Sequence, residues 1–148
     1  MNFDRYKWLV AIFVISHNIF SQQTYFQQEV NYKIDVTLTD VSHTMRAIEE
    51  IQYINNSSQS LSYIYFHLWP NAYKDHSTAL AAQLLQQKKT NFYFSKPEER
   101  GFIDSLNFKV NGKAVQLEFD KENIDICKLI SNEPLRSFDT IIITTPFF

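Results

Sequence analysis

The chain has 148 residues, of which 45% are hydrophobic and 16% aromatic, and its 14 basic and 16 acidic residues give a formal net charge of -2. This size and apolar content suffice for one folded domain and exclude a largely disordered polypeptide. The nearly neutral charge, without any block of like charge, argues against a nucleic-acid-binding protein, which needs a concentrated basic face.

The first 21 residues have the pattern of an export signal. Arg5 and Lys7 precede an apolar run from Trp8 to Ile15, and a more polar stretch follows as far as Ser21. The apolar run is far shorter than the roughly 20 residues that cross a bilayer, so a permanent membrane anchor is the weaker interpretation. We therefore predict a signal peptide at 1–21, a β domain at 22–148, and an exported protein that is periplasmic, in the outer envelope or secreted.

Two strand patterns follow the signal. The second runs from about Thr44 to Asn55, and Glu49 interrupts its apolar phase. A carboxylate at that position must lie at the sheet rim or meet a partner, because burying it unpaired costs several kcal/mol. The first pattern alternates five apolar residues with polar ones, which predicts a half-buried antiparallel strand; the apolar residues are Val30, Tyr32, Ile34, Val36 and Leu38.

A polar turn and a third strand come next. Short Asn and Ser side chains can bond their own backbone, so residues 55–60 predict a turn, and the glycosylation-like triplets at Asn55 and Asn56 are interpreted as turn residues. The stretch from Leu61 to Leu68 is apolar in both phases, which predicts a strand covered on two sides, and Pro70 ends it.

The second half of the chain contains one helix and more strands. Helical spacing of apolar residues predicts a helix at about residues 78–89, with Ser77 as its cap. Alternation on both sides of Asn111-Gly112, over 106–110 and 115–119, predicts a long β-hairpin, and 124–130 and 140–145 predict two more strands. The predicted fold is mainly β, an antiparallel β-sandwich of about six strands with one short inserted α-helix.

Residues that carry chemistry are scarce in this sequence. Outside the predicted signal the histidines are His43, His67 and His76; no His-Glu-x-x-His motif occurs, and no two histidines lie three to five residues apart. Cys127 is the only cysteine, and its strand setting indicates a structural thiol. The sequence therefore predicts no catalytic, cofactor-binding or metal-binding residue.

Five aromatic residues leave two interpretations open. They could form a stacking platform for a sugar or a peptide. The simpler interpretation is core packing plus an interface to a further domain, because alternation assigns three of the five to the core. The five are Tyr63, Tyr65, Phe66, Trp69 and Tyr73.

Several segments carry a family resemblance that covers nearly all of the predicted mature chain. They are Tyr-Lys-Ile-Asp-Val-Thr-Leu from Tyr32, the stretch 48–61, Phe-His-Leu-Trp-Pro-Asn-Ala-Tyr-Lys from Phe66, Ser-Thr-Ala-Leu from Ser77, and Lys-Pro-Glu-Glu-Arg-Gly-Phe-Ile from Lys96. Together they resemble the N-terminal β domain of the aminopeptidase N family of zinc metallopeptidases, in its exported bacterial branch.

The resemblance implies a non-catalytic role for this chain. In that family a thermolysin-like domain holds zinc through His-Glu-x-x-His and a later Glu, and the β domain packs on it and helps to wall the substrate cavity. The 148 residues lack the zinc motif. The resemblance therefore implies zinc and a peptide substrate only for the full-length protein, and a catalytic domain of the same or parent polypeptide as the partner. The charge distribution and the short apolar run, rather than the resemblance, predict no nucleic-acid partner and no stable membrane span.

One position departs from the family pattern. Phe138 occupies a turn where relatives usually have Gly, which predicts strain if the turn requires a positive φ. Because the last predicted strand runs into Pro146-Phe147-Phe148 without a polar cap, we expect a fragment, a truncated gene or a degenerate copy whose parent continues beyond Phe148. The alternative is a free-standing exported β-sandwich that binds peptide or glycan; the few histidines and cysteines disfavour a small enzyme with an unrecognised site.

Overall fold

The computed structural model describes residues 25–148, so the predicted signal peptide at 1–21 lies outside the described residues. The strands are β1 (Glu29–Thr39), β2 (Thr44–Ile54), β3 (Leu61–His67), β4 (Lys109–Val110), β5 (Lys113–Ala114), β6 (Gln116–Phe119), β7 (Ile126–Leu135) and β8 (Thr140–Phe147). One α-helix, α1 (Ala79–Gln86), and short 3-10 helices at Asp40–Ser42, Trp69–Tyr73 and Pro97–Glu99 complete the elements of this part of the chain.

The strands form two antiparallel sheets that pack on each other. The larger sheet has the order β1-β2-β8-β4-β5, and the smaller has the order β3-β7-β6. This architecture confirms the predicted antiparallel β-sandwich with one short inserted helix. Both sheets and the segment before β4 contribute to the central core, whose buried members are Ile51, Phe108, Val110, Leu129, Leu135, Ile141 and Ile143.

The inserted helix is shorter than predicted and has a different cap. The Oγ1 atom of Thr78 accepts a hydrogen bond from the backbone N–H of Ala81 at 3.2 Å, so the N-cap is Thr78 and the prediction of Ser77 is wrong. The helix ends at Gln86 rather than near residue 89, because Lys88 adopts a left-handed φ of 61° that a helix cannot continue through. Within residues 25–148, no helix has the length and apolar character needed to cross a membrane.

The Asn111-Gly112 turn forms, but the hairpin around it is short. Both residues have positive φ, 49° and 78°, as a two-residue hairpin turn of this kind requires. The ladder between β4 and β5 contains only two residue pairs, and β6 then pairs with β7 in the other sheet. The predicted turn is confirmed and the predicted long hairpin is wrong, because Leu117 packs against the core from the second sheet.

The apolar face of β1 is mostly uncovered. β1 and β2 are 11 residues long, and paired residues such as Val36 and Ala47 share the inner face of the larger sheet. The 7-residue β3 and 4-residue β6 do not extend over the far end of this face, where Val36 is 47% and Leu38 66% exposed. The predicted strand is confirmed, whereas the prediction that its apolar face is half-buried is wrong over this end.

Phe138 has the left-handed conformation that its turn requires. Its φ is 62°, which costs an L-residue about 1–2 kcal/mol, and its side chain is largely exposed. We expect Phe138→Gly to raise the free energy of unfolding by up to about 1 kcal/mol, because glycine removes this strain. The gain is smaller than the strain itself, because glycine also increases the conformational entropy of the unfolded chain. Urea denaturation measures the change. Phe138→Ala is the control, because alanine keeps the strained Cβ; an equal gain with alanine would assign the effect to loss of the exposed ring.

Candidate functional site

An open cleft of about 460 Å³ lies between the two sheets. The inner face of β1 and β2 forms one side, and β3 with the 3-10 helix that follows it forms the other. Residues of the segment before β4 and Thr145 of β8 contribute the remainder. Its wall is mainly apolar or aromatic: Val30, Tyr32, Ile51, Tyr53, Ile64, Tyr65, Phe66, Leu68, Trp69, Pro70, Ile103, Leu106 and Phe108. Its remaining lining residues are Glu49, His67 and Thr145.

Glu49 places one half-buried carboxylate in this apolar setting. It lies on the inner face of β2, between Ile34 of β1 and Thr145 of β8. Within residues 25–148 there are two ion pairs, His67 with Asp125 and Lys128 with Glu118, and Glu49 belongs to neither. Burial raises the pKa of the Glu49 carboxyl above its ordinary value. A cation brought to this position would therefore offset a desolvation cost that no ion pair within residues 25–148 compensates.

The other two polar residues of the cleft are already bonded. The Oγ1 atom of Thr145 accepts a hydrogen bond from the Asn107 backbone N–H at 3.0 Å. The Nε2 atom of His67 lies 2.8 Å from Oδ2 of Asp125, and its ring lies against Trp69 with centroids 4.2 Å apart. His67 thus joins the end of β3 to the loop before β7. Glu49 is therefore the charged side chain of the cleft that has no ion-pair partner among the described residues.

The residues that could hold a metal lie apart. His43 occupies the turn between β1 and β2 with a φ of 51°, and the ring of His76 faces Tyr93 at a centroid distance of 5.4 Å. In the part of the chain that the structure describes, no group of three His, Cys, Asp or Glu side chains could hold a metal ion. Cys127 is completely buried in β7, and burial raises the pKa of its thiol, which agrees with a structural thiol.

The five aromatic residues divide between the core and the surface. Phe66 packs against Phe108 with ring centroids 4.8 Å apart. Tyr63 and Tyr65 instead occupy the phase of β3 that alternates with the core-packed Ile64 and Phe66, and both are exposed. Trp69 is exposed as well, so Tyr65 and Trp69 contribute to the cleft only as partly exposed lining residues. The assignment of three of the five to the core, and of β3 to a position covered on both sides, is therefore wrong. The reason is that the larger sheet covers only one face of β3, so its tyrosine phase faces solvent.

The Pro-Asn-Ala-Tyr segment has a structural role. Asn71 is buried in the 3-10 helix after β3, where its Oδ1 accepts from the Ile103 backbone N–H at 3.0 Å and its Nδ2 donates to the Ile124 carbonyl oxygen at 3.4 Å. Ala72 is also buried, and its carbonyl oxygen accepts from Thr78 Oγ1 at 2.7 Å. One short segment thereby fixes the loop before β4, the loop before β7 and the start of α1.

Comparisons with protein-family models, with curated proteins and with solved structures found no match for this chain. The fold and the cleft define its class, an antiparallel β-sandwich with an apolar cleft that contains one carboxylate. In the sequence, Glu49 alone indicates this cleft, because it is a carboxylate in the apolar phase of a strand. The sequence does not predict the opposite wall, because β3 and the segment before β4 come to face β1 and β2 only when the two sheets pack.

Proposed function

We propose that this chain is the non-catalytic N-terminal β domain, or a fragment of it, of an exported zinc-dependent aminopeptidase. The observation that carries the proposal is the long inner face of β1 and β2, which is apolar and extends beyond the smaller sheet. A contiguous exposed apolar face of this kind is typical of a surface that packs on another body. The sequence resemblance supplies the identity of that body, the zinc-binding catalytic domain of the same or parent polypeptide.

The structural role of Asn71 and Ala72 adds support. Both residues belong to the Pro-Asn-Ala-Tyr-Lys segment on which the resemblance partly rests, and both are buried in contacts that hold the fold together. A segment that sets the architecture of a domain can mark a family without taking part in its chemistry. In this proposal, removal of N-terminal residues from peptides belongs to the full-length protein, which is periplasmic, in the outer envelope or secreted.

Reading the genomic DNA past the codon for Phe148 tests the proposal. We expect an open frame, or one reached by a single frameshift, that encodes His-Glu-x-x-His with a downstream Glu. The purified chain with added zinc should not hydrolyse leucine p-nitroanilide, because the proposal assigns the zinc ligands to the downstream domain. Zinc-dependent hydrolysis by the chain itself, or a stop codon with nothing related behind it, would contradict the proposal.

A free-standing exported binding module is the second candidate, and one observation favours it. Tyr63 and Tyr65 of β3 and Trp69 of the 3-10 helix that follows are exposed, and Lys128 Nζ lies 4.6 Å from the ring centroid of Tyr63. Such a row can stack on a sugar or on a peptide side chain. A true stop codon after Phe148, together with peptide or glycan binding that Tyr65→Ala removes, would favour this candidate.

A further inference from the structure

The inner face of the larger sheet has a chemical composition that restricts its partner. Beyond the end of the core, β1 and β2 present Ile34, Val36, Leu38 and Met45, all about half exposed or more. The stretch from Tyr32 to Leu38 alone spans about 20 Å, at roughly 3.3 Å per strand residue. This length exceeds what a small ligand covers and suits an extended or helical polypeptide segment.

Among the described residues of β1 and β2, Glu49 is the one charged side chain on this apolar face. The basic residues of β1 and β2, Lys33 and Arg46, occupy the opposite phase and so lie on the other face of the sheet. A second copy of the chain docked face to face would bring one Glu49 carboxylate near the other without supplying a cation. The charge pattern therefore disfavours a symmetric dimer and favours a different partner that carries positive charge.

We propose that this face docks an apolar polypeptide segment that inserts one lysine or arginine side chain into the cleft, where its cation meets the Glu49 carboxylate. The methylene stem of such a side chain suits the apolar walls formed by Tyr32, Ile51 and Phe108, while the charged group reaches the carboxylate. This docking site rests on the proposed function only for the identity of the partner, which would be a segment of the catalytic domain.

A titration of the purified, 15N-labelled chain with matched peptides tests the site directly. The probes are capped heptapeptides, acetyl-Thr-Leu-Val-X-Val-Leu-Thr-amide, in which X is lysine, norleucine or glutamate. We expect the lysine peptide to shift the backbone amide signals of Tyr32, Glu49 and Ile51 and to bind at least about tenfold more tightly than the norleucine peptide, because a charge-assisted contact replaces an apolar one. The glutamate peptide should bind most weakly.

Two variants separate the carboxylate from its surroundings. Glu49→Gln keeps the size and shape of the side chain but removes its charge, and it should abolish the preference for lysine over norleucine. Glu50→Gln is the matched control, because Glu50 is the next residue of β2 and is exposed on the opposite face, and it should preserve the preference. If Glu49→Gln does not fold, the comparison of the lysine and norleucine peptides on the unchanged chain decides the question.

Three results would overturn the docking proposal. The first is equal affinity for the lysine and norleucine peptides, and the second is an absence of amide-signal shifts on the inner face of β1 and β2. The third is a dimer in sedimentation that Val36→Asp dissociates, because a second copy of the chain would then occupy this face. The gene sequence beyond Phe148 tests the proposed function independently. A zinc motif beyond Phe148 without a preference for the lysine peptide would support the proposed function and reject this docking site. A preference for the lysine peptide without a zinc motif would support the docking site and reject the proposed function.

Discussion

Asn55→Ala is expected to lower the free energy of unfolding by about 3 kcal/mol, because it removes a buried amide that bonds two turns together. Asn55 is completely buried. Its Nδ2 atom donates to the carbonyl oxygens of Gln59 at 2.8 Å, Leu135 at 3.3 Å and Arg136 at 3.0 Å. One side chain therefore joins the turn after β2 to the end of β7.

The carbonyl oxygen of the same side chain satisfies further donors. Oδ1 of Asn55 accepts from the Ser57 backbone N–H at 3.1 Å, from Ser57 Oγ at 2.7 Å and from Gln28 Nε2 at 3.1 Å. After substitution by alanine, Ser57 Oγ can still donate to the Gln59 carbonyl oxygen, and the Arg136 carbonyl oxygen still accepts from the Asp139 backbone N–H. The Ser57 backbone N–H and the Leu135 carbonyl oxygen would lose their bonds to Asn55 in a site largely closed to water. Each buried polar group that loses its bond costs about 1–3 kcal/mol, so partial repair by water still leaves a large loss.

Asn56→Ala is the control for this prediction. It removes the same amide one position along the chain, where Nδ2 makes one exposed hydrogen bond, to the Gln27 carbonyl oxygen at 3.0 Å. We expect it to cost less than about 1 kcal/mol. Urea denaturation followed by Trp69 fluorescence measures both variants. Equal losses for the two would mean that the buried network of Asn55 does not stabilise the fold.

Asn55 shows how far local sequence patterns reach. An Asn-Asn-Ser-Ser run predicts a turn, because these side chains bond nearby backbone, and the bond from Ser57 N–H to Asn55 is of that kind. The burial of Asn55 depends on carbonyl groups of Leu135 and Arg136, about 80 residues away in sequence. No local pattern contains that contact, so the structural importance of this residue becomes visible only in the folded chain.

Strand alternation has a similar limit. It predicts correctly that Val36 and Leu38 share one face of β1, because side chains alternate between the two faces of a strand. Which part of that face is covered depends on the lengths of β3 and β6, which belong to the other sheet. The same limit explains why Tyr63 and Tyr65 look like core residues in the sequence and are exposed in the structure.

Turn chemistry is predicted more fully than strand partners. The positive φ of Asn111 and Gly112, and that of Phe138, follow from the conformations that short turns require. The Asn111-Gly112 turn does not determine which strand β6 pairs with. The hairpin ladder ends after two residue pairs and β6 pairs with β7, because Leu117 packs there against the core opposite Leu129.

Leu129→Ala is expected to cost about 3–4 kcal/mol of the free energy of unfolding, the typical penalty for truncating a fully buried leucine. Leu129 is 0% exposed and lies at the centre of the smaller sheet, between Ile64 of β3 and Leu117 of β6. Its side chain faces the core, which also contains Ile143 of the larger sheet. Alanine would open a cavity between the sheets that neither sheet can close by a local shift.

Leu38→Ala is the matched control, and it also tests whether the inner face of β1 is free in solution. The substitution is chemically identical, but Leu38 is 66% exposed, so we expect a change within about 0.5 kcal/mol for the chain alone. Urea denaturation at two protein concentrations measures both leucine variants. A large, concentration-dependent loss for Leu38→Ala would mean that copies of the chain cover this face. A small loss at both concentrations, beside a large one for Leu129→Ala, would mean that the isolated domain folds on its core and leaves the inner face of β1 available to a partner.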